Sequence, residues 1–547
     1  MPPLRVLLPP LRLPPSALAL GIFALAFVLP GLAGHDPWKT HDAIGIGIAY
    51  GMLTTGDAIV PRVAGMPWLY DPPLYHWLAV AFGRLLQFFL EFHAAARLAS
   101  GTLVLGAFCL IYRAASDWQP DERKRDAGSA ALLLLLGSLG LMVHAHEALP
   151  ELASLAAISG AFAALPHAQR RPLAAGIGFG AALGLGLVSA SWIAPVVLAL
   201  TVLAAHLACD EWRNRNGLVF TAAFLPVAAI IGGAWPIALH ARSPDAFTSW
   251  WLLASIPQGG AGANLRYFLV TTGWFAWPAW PIAGWALWSL RRRLAEPRLF
   301  VPLAAALATF FAVAFWGPAQ DVNLLVLLPP LALLAAQGAL VLRRGAAGAL
   351  DWFGVLGFGF FTFLVWLGYF AMLTGLPPRL ANNFFKTAPG FVLELRVFPL
   401  AVALALFLGW LYVMFFSIRS PVRSLARWAA GIVLLWGSFA MLWMPWADYQ
   451  KSYRRVALQL RSNIPVDGGC IAQRSLSISQ AAALDYHGGI RPQPFDTLKP
   501  DACPLLLVQG SPKNEFDGPG EGWSKLADVG RPGDRSERYR LYRLDRK

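Results

Sequence analysis

Charge is what this 547-residue sequence has least of: 14% of its residues are Asp, Glu, Lys or Arg, against 57% that are hydrophobic. Soluble domains carry about 25% charged residues, so a water-soluble globule is excluded and the chain reads as a polytopic membrane protein. Cysteine is almost as scarce, with 4 residues in no metal-ligating spacing, which removes zinc-finger and iron–sulfur classes. Cys470 and Cys503 both fall in the polar C-terminal region, as either a disulfide or two small buried thiols. Acidic residues number 30 against 44 basic ones, and that excess invites a nucleic-acid reading. The arginines come in short clusters between apolar runs, however, which is the pattern of cytoplasmic loops, so no nucleic-acid partner is expected. Scarcest of all are ionisable residues within the apolar runs. Proton-coupled transporters keep such groups near the midplane; here they gather at helix ends and in loops, which favours chemistry at one membrane face.

What is abundant is apolar sequence long enough to span. A span needs roughly 20 residues, and about thirteen segments meet that length: 16–34, 96–114, 128–145, 151–166, 172–190, 192–208, 218–239, 268–290, 298–316, 322–342, 353–374, 396–417 and 428–446. The first follows two arginines and imitates a signal peptide, but no small-residue cleavage site follows, so a retained span with a cytoplasmic N-terminus is expected. Basic connectors such as RAASDWQPDERKR and RRRLAEPR then share the cytoplasmic side. That parity makes the apolar stretch 74–92 a juxtamembrane or re-entrant helix, opened by Pro72 and Pro73, with Tyr75, His76 and Trp77 at headgroup depth. From about residue 448 the composition turns polar. SYRRVALQLRSNIP and SISQAAALDYHGG read as helices, CIAQR and CPLLLVQG as strands, and ERYRLYRL as an edge strand. The expected fold is an all-α polytopic membrane bundle over 1–446, with a periplasmic first loop at 35–95, followed by a small α/β periplasmic domain over 447–547.

The first loop and its neighbours hold the residues that could do chemistry. His41 and Asp42 open AIGIGIAYGML, a segment with amphipathic helical potential, where Asp is also an ordinary helix cap. In HAHEALPE a helix would put His144, Glu147 and Glu151 on one stripe, a spacing that suits a general base, a metal site or the polar caps of a turn. Asp71 precedes two prolines that would fix it at the membrane edge, or it is an exposed turn residue. Outward basic residues, Arg62, Arg84, Arg97, Arg242 and Arg266, with Arg379, Lys386 and Arg396 further on, suit phosphate or the headgroups of membrane lipids.

Taken together, Trp38, His41, Asp42, MLTTGD at 52–57, Val60, Pro61, Gly65, DPPLYHW at 71–77 and ARL at 96–98 resemble the first periplasmic loop of bacterial glycosyltransferases of the C superfamily (GT-C), in the family 39 branch of aminoarabinose transferases and protein O-mannosyltransferases. The likeness continues through HEALPELASLAA, FAWPAWP and LLVLLPPLALLAA. It implies an inner-membrane enzyme that moves a sugar from a polyprenyl-phosphate carrier to a lipid, glycan or protein acceptor at the periplasmic face. Such enzymes set one acidic residue in the first loop and another in the next outer loop on the acceptor, with positive charge or a metal against the departing phosphate. Residue by residue, the usual Asp-Glu pair falls on His41 and Asp42, and the second acidic position falls on Glu151, with Glu147 as its rival. The lysine that usually precedes the two prolines falls on Asp71, and Asp321 stands near the place of another basic residue. The resemblance thus implies Asp42, His41, Glu151 and Glu147 as catalytic candidates. Arg62, Arg97, Arg266, Asp71, Tyr75 and His76 are candidates for substrate or phosphate binding. A divalent ion held by Asp71, His41, Asp42 and His144 would answer the two basic-to-acidic reversals. A flippase of lipid-linked sugars and a catalytically inactive GT-C-like scaffold are the alternative readings.

Overall fold

The computed structural model describes residues 17–256, 260–417, 420–466, 468–494, 503–513 and 519–545. Apolar side chains with no polar partner to offer drive the chain into a helical bundle. Among the described residues, 7 helices are long and apolar enough to cross a membrane: Phe92–Asp117, Arg215–Arg242, Pro297–Trp316, Asp321–Ala339, Arg344–Thr374, Val397–Phe416 and Arg423–Leu442. Shorter apolar helices, Ala17–Val28, Pro172–Leu187 and Ile193–Ala208, stand among them.

Two expected spans are broken. The segment 128–145 divides into Asp121–Leu136 and Leu139–His144, and 268–290 into Ala261–Phe275 and Ala279–Ser289. Pro278 lacks the N–H that a continuous helix needs there. The breaks satisfy each other, since the Leu139 N–H donates to the Trp277 carbonyl (3.2 Å) and the Trp428 indole N–H to the Gly137 carbonyl (2.8 Å), as a low-dielectric surrounding requires. The glycines of Pro172–Leu187 have a packing cause as well. A Cβ on Gly176 would lie 2.5 Å from the Phe220 carbonyl oxygen and one on Gly180 2.5 Å from that of Phe224, so small residues four apart let this helix lie against Arg215–Arg242 backbone to backbone.

The first loop builds a rim on one end of the bundle. Helix His41–Thr55 stops at Gly56, whose φ of 74° is left-handed, and the chain returns through a two-strand hairpin, β1 (Arg62–Val63) and β2 (Met66–Pro67). This helix is buried on nearly every side rather than amphipathic. A Cβ on Gly45 would sit 2.0 Å from the Ala148 carbonyl oxygen, on Gly47 2.8 Å from the Ala482 Cβ, and on Gly51 2.8 Å from the Arg62 carbonyl oxygen. Glycine at these three positions is therefore what lets three neighbours close on it. Helix Leu74–Leu86 follows, with 13 residues, or about 20 Å at 1.5 Å per residue, short of a hydrocarbon core of about 30 Å. Tyr75 and His76 on it are fully buried inside the protein, and Trp77 is the exposed member.

The terminal domain lies on the same rim. Five strands, β3 (Ile471–Arg474), β4 (Gln493–Pro494), β5 (Leu505–Gly510), β6 (Trp523–Val529) and β7 (Arg538–Leu544), form a mixed sheet in the order β4-β3-β5-β7-β6. Pairing of β3 with β4 and β5 is parallel, while β7 pairs antiparallel with β5 and β6. Hence β7 is an interior strand: Tyr539 and Leu541 are buried and both of its edges are paired. Helices Arg454–Asn463 and Ile478–Gly488 flank the sheet, the second opened by a Ser477/Gln480 capping box. Cys470 and Cys503 are joined in a disulfide.

Candidate functional site

The turn 35–42, between the first helix and the loop helix, is held by a buried ion pair. Arg97 is 0% exposed and reaches Asp42 through both Nε (3.1 Å to Oδ1) and Nη2 (2.6 Å to Oδ2). Its remaining donors meet the carbonyls of His35 (2.9 Å) and Asp36 (3.0 Å). Asp42 also accepts the Ala148 N–H (2.8 Å) and the Trp38 N–H (3.2 Å). Burial alone would raise the Asp42 pKa, and Arg97 overrides it, so the carboxyl stays below the ordinary range. His35 beside it is held down to about 4 by burial and by Arg97, hence neutral. Every oxygen and nitrogen of this pair is occupied by protein. Neither Arg97, which is sealed from solvent, nor Asp42 is among the residues that line the neighbouring cavity, and in this structure the pair ties the rim together.

Next to the pair lies a cavity of about 460 Å³. Thr40, His41, Asp71 and Glu151 line it on the polar side, with Ser191, Gln320 and Asn323, and Trp68, Trp192, Trp250 and Trp316 on the apolar side. Successive helical residues diverge by about 100°, so His41 faces the cavity while Asp42 turns to Arg97. Asp71 stands on the turn before Pro72 and takes the Trp68 indole N–H at 2.7 Å. Burial pushes its pKa up, against Trp68 and His41, which pull it down. Glu151 opens helix Glu151–Ala164, and its Oε2 is buried without a hydrogen-bond partner in the protein. Among the described residues that line this cavity, none is Lys or Arg. Its two carboxyls, Asp71 and Glu151, stand close enough for Asp71 to raise the Glu151 pKa, in a setting with aromatic walls.

Other candidates lie elsewhere. Arg62 donates to the Gly65 carbonyl within its own hairpin (3.4 Å), and Arg266 is exposed on helix Ala261–Phe275; neither lines the cavity. Tyr75 bonds its hydroxyl to Ser100 (2.8 Å), and His76 is sealed in the core. Glu147 binds His144 Nδ1 (3.0 Å), and Asp321 stands 3.4 Å from the Nε2 of the same ring. The four residues named for a divalent ion therefore do not converge: Asp42 belongs to Arg97 and His144 to two carboxylates. Among the described residues, the group with ligand atoms within 4.8 Å of one another is Asp36, Glu91 and His93, and there the Arg454 guanidinium donates to Asp36 and to Glu91 (2.5 Å each). No step of the chemistry below is routed through a metal.

Sequence reasoning missed the aromatic wall. Trp68 sits three residues before Asp71, a usable signal; Trp192, Trp250, Trp316 and Ile478 come from distant elements and carry none. Leu187, Trp192 and Trp250 are shared with an adjoining apolar groove of about 590 Å³, completed by Gly232, Gly233, Pro236, Ile237 and Phe247. The polar cavity and the apolar groove thus lie side by side, with Leu187, Trp192 and Trp250 between them and helix Arg215–Arg242 along the groove.

No family model matches the chain. Its fold superposes on the crystal structure of ArnT from Cupriavidus metallidurans bound to undecaprenyl phosphate with a TM-score of 0.70 and 16% identity, over 95% of this chain and 97% of that one. The two chains share their fold end to end, a helical membrane bundle followed by a small terminal domain. In sequence it is similar to undecaprenyl phosphate-alpha-4-amino-4-deoxy-L-arabinose arabinosyl transferases. That of Pseudomonas fluorescens is 26% identical over 439 residues, covering 77% of this chain and 73% of the relative. That of Aeromonas salmonicida is 25% identical over 449 residues, covering 78% and 76%.

Proposed function

We propose that the chain transfers a sugar from a polyprenyl-phosphate carrier to a lipid, glycan or protein acceptor, with inversion at the anomeric carbon. The observation that carries this reading is the adjacency of the carboxyl-lined cavity and an apolar groove that share Leu187, Trp192 and Trp250: a prenyl tail laid in the groove brings its sugar phosphate to the cavity. The acceptor oxygen attacks the anomeric carbon, the bond from that carbon to the phosphate oxygen breaks, and the electron pair leaves with the lipid phosphate. Burial and the neighbouring Asp71 push the Glu151 carboxyl up to about 8, so the two carboxyls hold one proton between them; with that proton on Asp71, Glu151, whose Oε2 is free of protein partners, takes the acceptor's proton. Asp71, whose burial favours the neutral form, donates a hydrogen bond to the leaving phosphate, which is how a site without Lys or Arg tolerates that charge. His41 stands beside Asp71 and supplies a second donor.

Residues 1–446 form the transmembrane catalytic unit and 447–547 the periplasmic domain in this reading, with the N-terminus in the cytoplasm. Helix Leu98–Asp117 starts at the rim and ends among the charges of 117–125, and Gln119 there bonds Gln337 (2.7 Å) and Arg298 (3.2 Å). Basic residues thus mark the end opposite the cavity, as cytoplasmic loops do, and the disulfide suits an oxidising compartment. The test is sugar transfer from a polyprenyl-phosphate donor in membranes carrying Asp71→Ala or Glu151→Gln. Each substitution is expected to abolish transfer; wild-type turnover in both would overturn the assignment.

A further inference from the structure

The terminal domain does more than sit beside the rim. The two cavity-lining residues Thr40 and His41 follow directly on Lys39, and Lys39 Nζ reaches across to Glu537 Oε1 of the terminal domain at 3.0 Å. Glu537 is itself fixed: the Tyr453 hydroxyl (2.8 Å) and the Tyr539 hydroxyl (2.9 Å) both donate to its Oε2, and it is 9% exposed. Just upstream, Asp448 Oδ1 accepts the Trp38 indole N–H and the Asp36 N–H, at 2.8 Å each. The same turn is thus held from the membrane side by Arg97 and from the outer side by the terminal domain. A third contact reaches the cavity itself, where Ile478, the first residue of the capped helix, is part of the lining.

We propose that Glu537 is a positioning residue: acting through Lys39, it sets Thr40 and His41 at the cavity lip, so that the terminal domain completes the transfer site instead of serving as a separate binding module. The proposal rests on the reading of the cavity as the transfer site. A single ion pair whose lysine is 40% exposed adds little to stability. Its effect is on geometry, where displacement of a reacting group by about 1 Å can cost up to about a hundredfold in rate.

The test leaves the terminal domain intact by altering Lys39. In the full-length protein in lipid nanodiscs, Lys39→Met is expected to raise amide exchange over residues 35–45 while the sheet domain stays protected. It should lower kcat by about tenfold with donor KM unchanged, and Lys39→Arg should restore both. Unaltered exchange over 35–45 in Lys39→Met overturns the proposal, as does a fall in kcat that Lys39→Arg shares, or a rise in exchange with kcat unaltered. The exchange readout needs no substrate. A wild-type protein that transfers nothing would therefore sink the functional reading, while the exchange data still decided whether Glu537 holds the lip.

Discussion

At the scale of single residues, two carboxylates close in space have opposite duties. Asp42 neutralises a fully buried guanidinium, and Glu151 keeps one oxygen unengaged beside the cavity. Removing one partner of a buried pair costs about 3–5 kcal/mol because the other charge is stranded, so Asp42→Asn is expected to lower the thermal midpoint of the detergent-purified protein strongly and to reduce the amount that folds. Glu151→Gln should leave the melting curve where it is and remove only transfer. A comparison of melting curves for the two variants separates the roles, and equal stability losses would contradict them. His41, Asp71 and Glu151 were legible in the sequence as ionisable groups in polar breaks between apolar runs. The duty of Asp42 was not, because its partner lies 55 residues away and a helical step of about 100° sends adjacent side chains to different environments.

At the scale of elements, the loop helix His41–Thr55 depends on what its glycines omit. In Gly45→Ala the new methyl would meet the Ala148 backbone carbonyl, which belongs to the turn that leads into Glu151 and cannot swing aside. Overpacking of this kind costs about 1–3 kcal/mol. A lowered thermal midpoint together with reduced transfer is expected, since the same shift moves His41 away from Glu151; a variant with wild-type values in both would refute the packing account. The segment AIGIGIAYGML suggests an amphipathic helix from sequence because it follows a polar loop, whereas close approach by three neighbours depends on side-chain size, which polarity does not report. A parallel misreading befell β7, whose alternating ERYRLYRL suits an edge strand. The chain that pairs on its outer side, β6, has no strong strand signature of its own.

At the scale of the whole molecule, the helical bundle was legible because apolar runs of spanning length announce themselves, while the breaks at Gly137 and Pro278 were hidden by the hydrophobicity around them. What joins the bundle to the terminal domain is polar and partly titratable. Asp448 is pushed up to about 6, mainly by burial, with Asp36 adding to the effect against the Trp38 indole. A carboxyl with a folded pKa above its unfolded value of 3.8 contributes stability at acid pH that is lost as pH rises through about 6. Between about pH 4 and about pH 6 the wild type is therefore expected to lose thermal stability relative to Asp448→Asn, in which this carboxyl cannot titrate; identical pH profiles for the two proteins would contradict the assignment. The central claim, that a lipid-borne sugar enters sideways into the carboxyl-lined cavity, is tested most directly by photo-crosslinking with a polyprenyl phosphate that carries a diazirine on its tail. Label is expected on peptides that contain Gly232, Gly233, Ile237, Phe247 and Trp251, and unlabelled polyprenyl phosphate should compete it away. Label spread evenly over the lipid-facing helices, with no competition, would contradict the account.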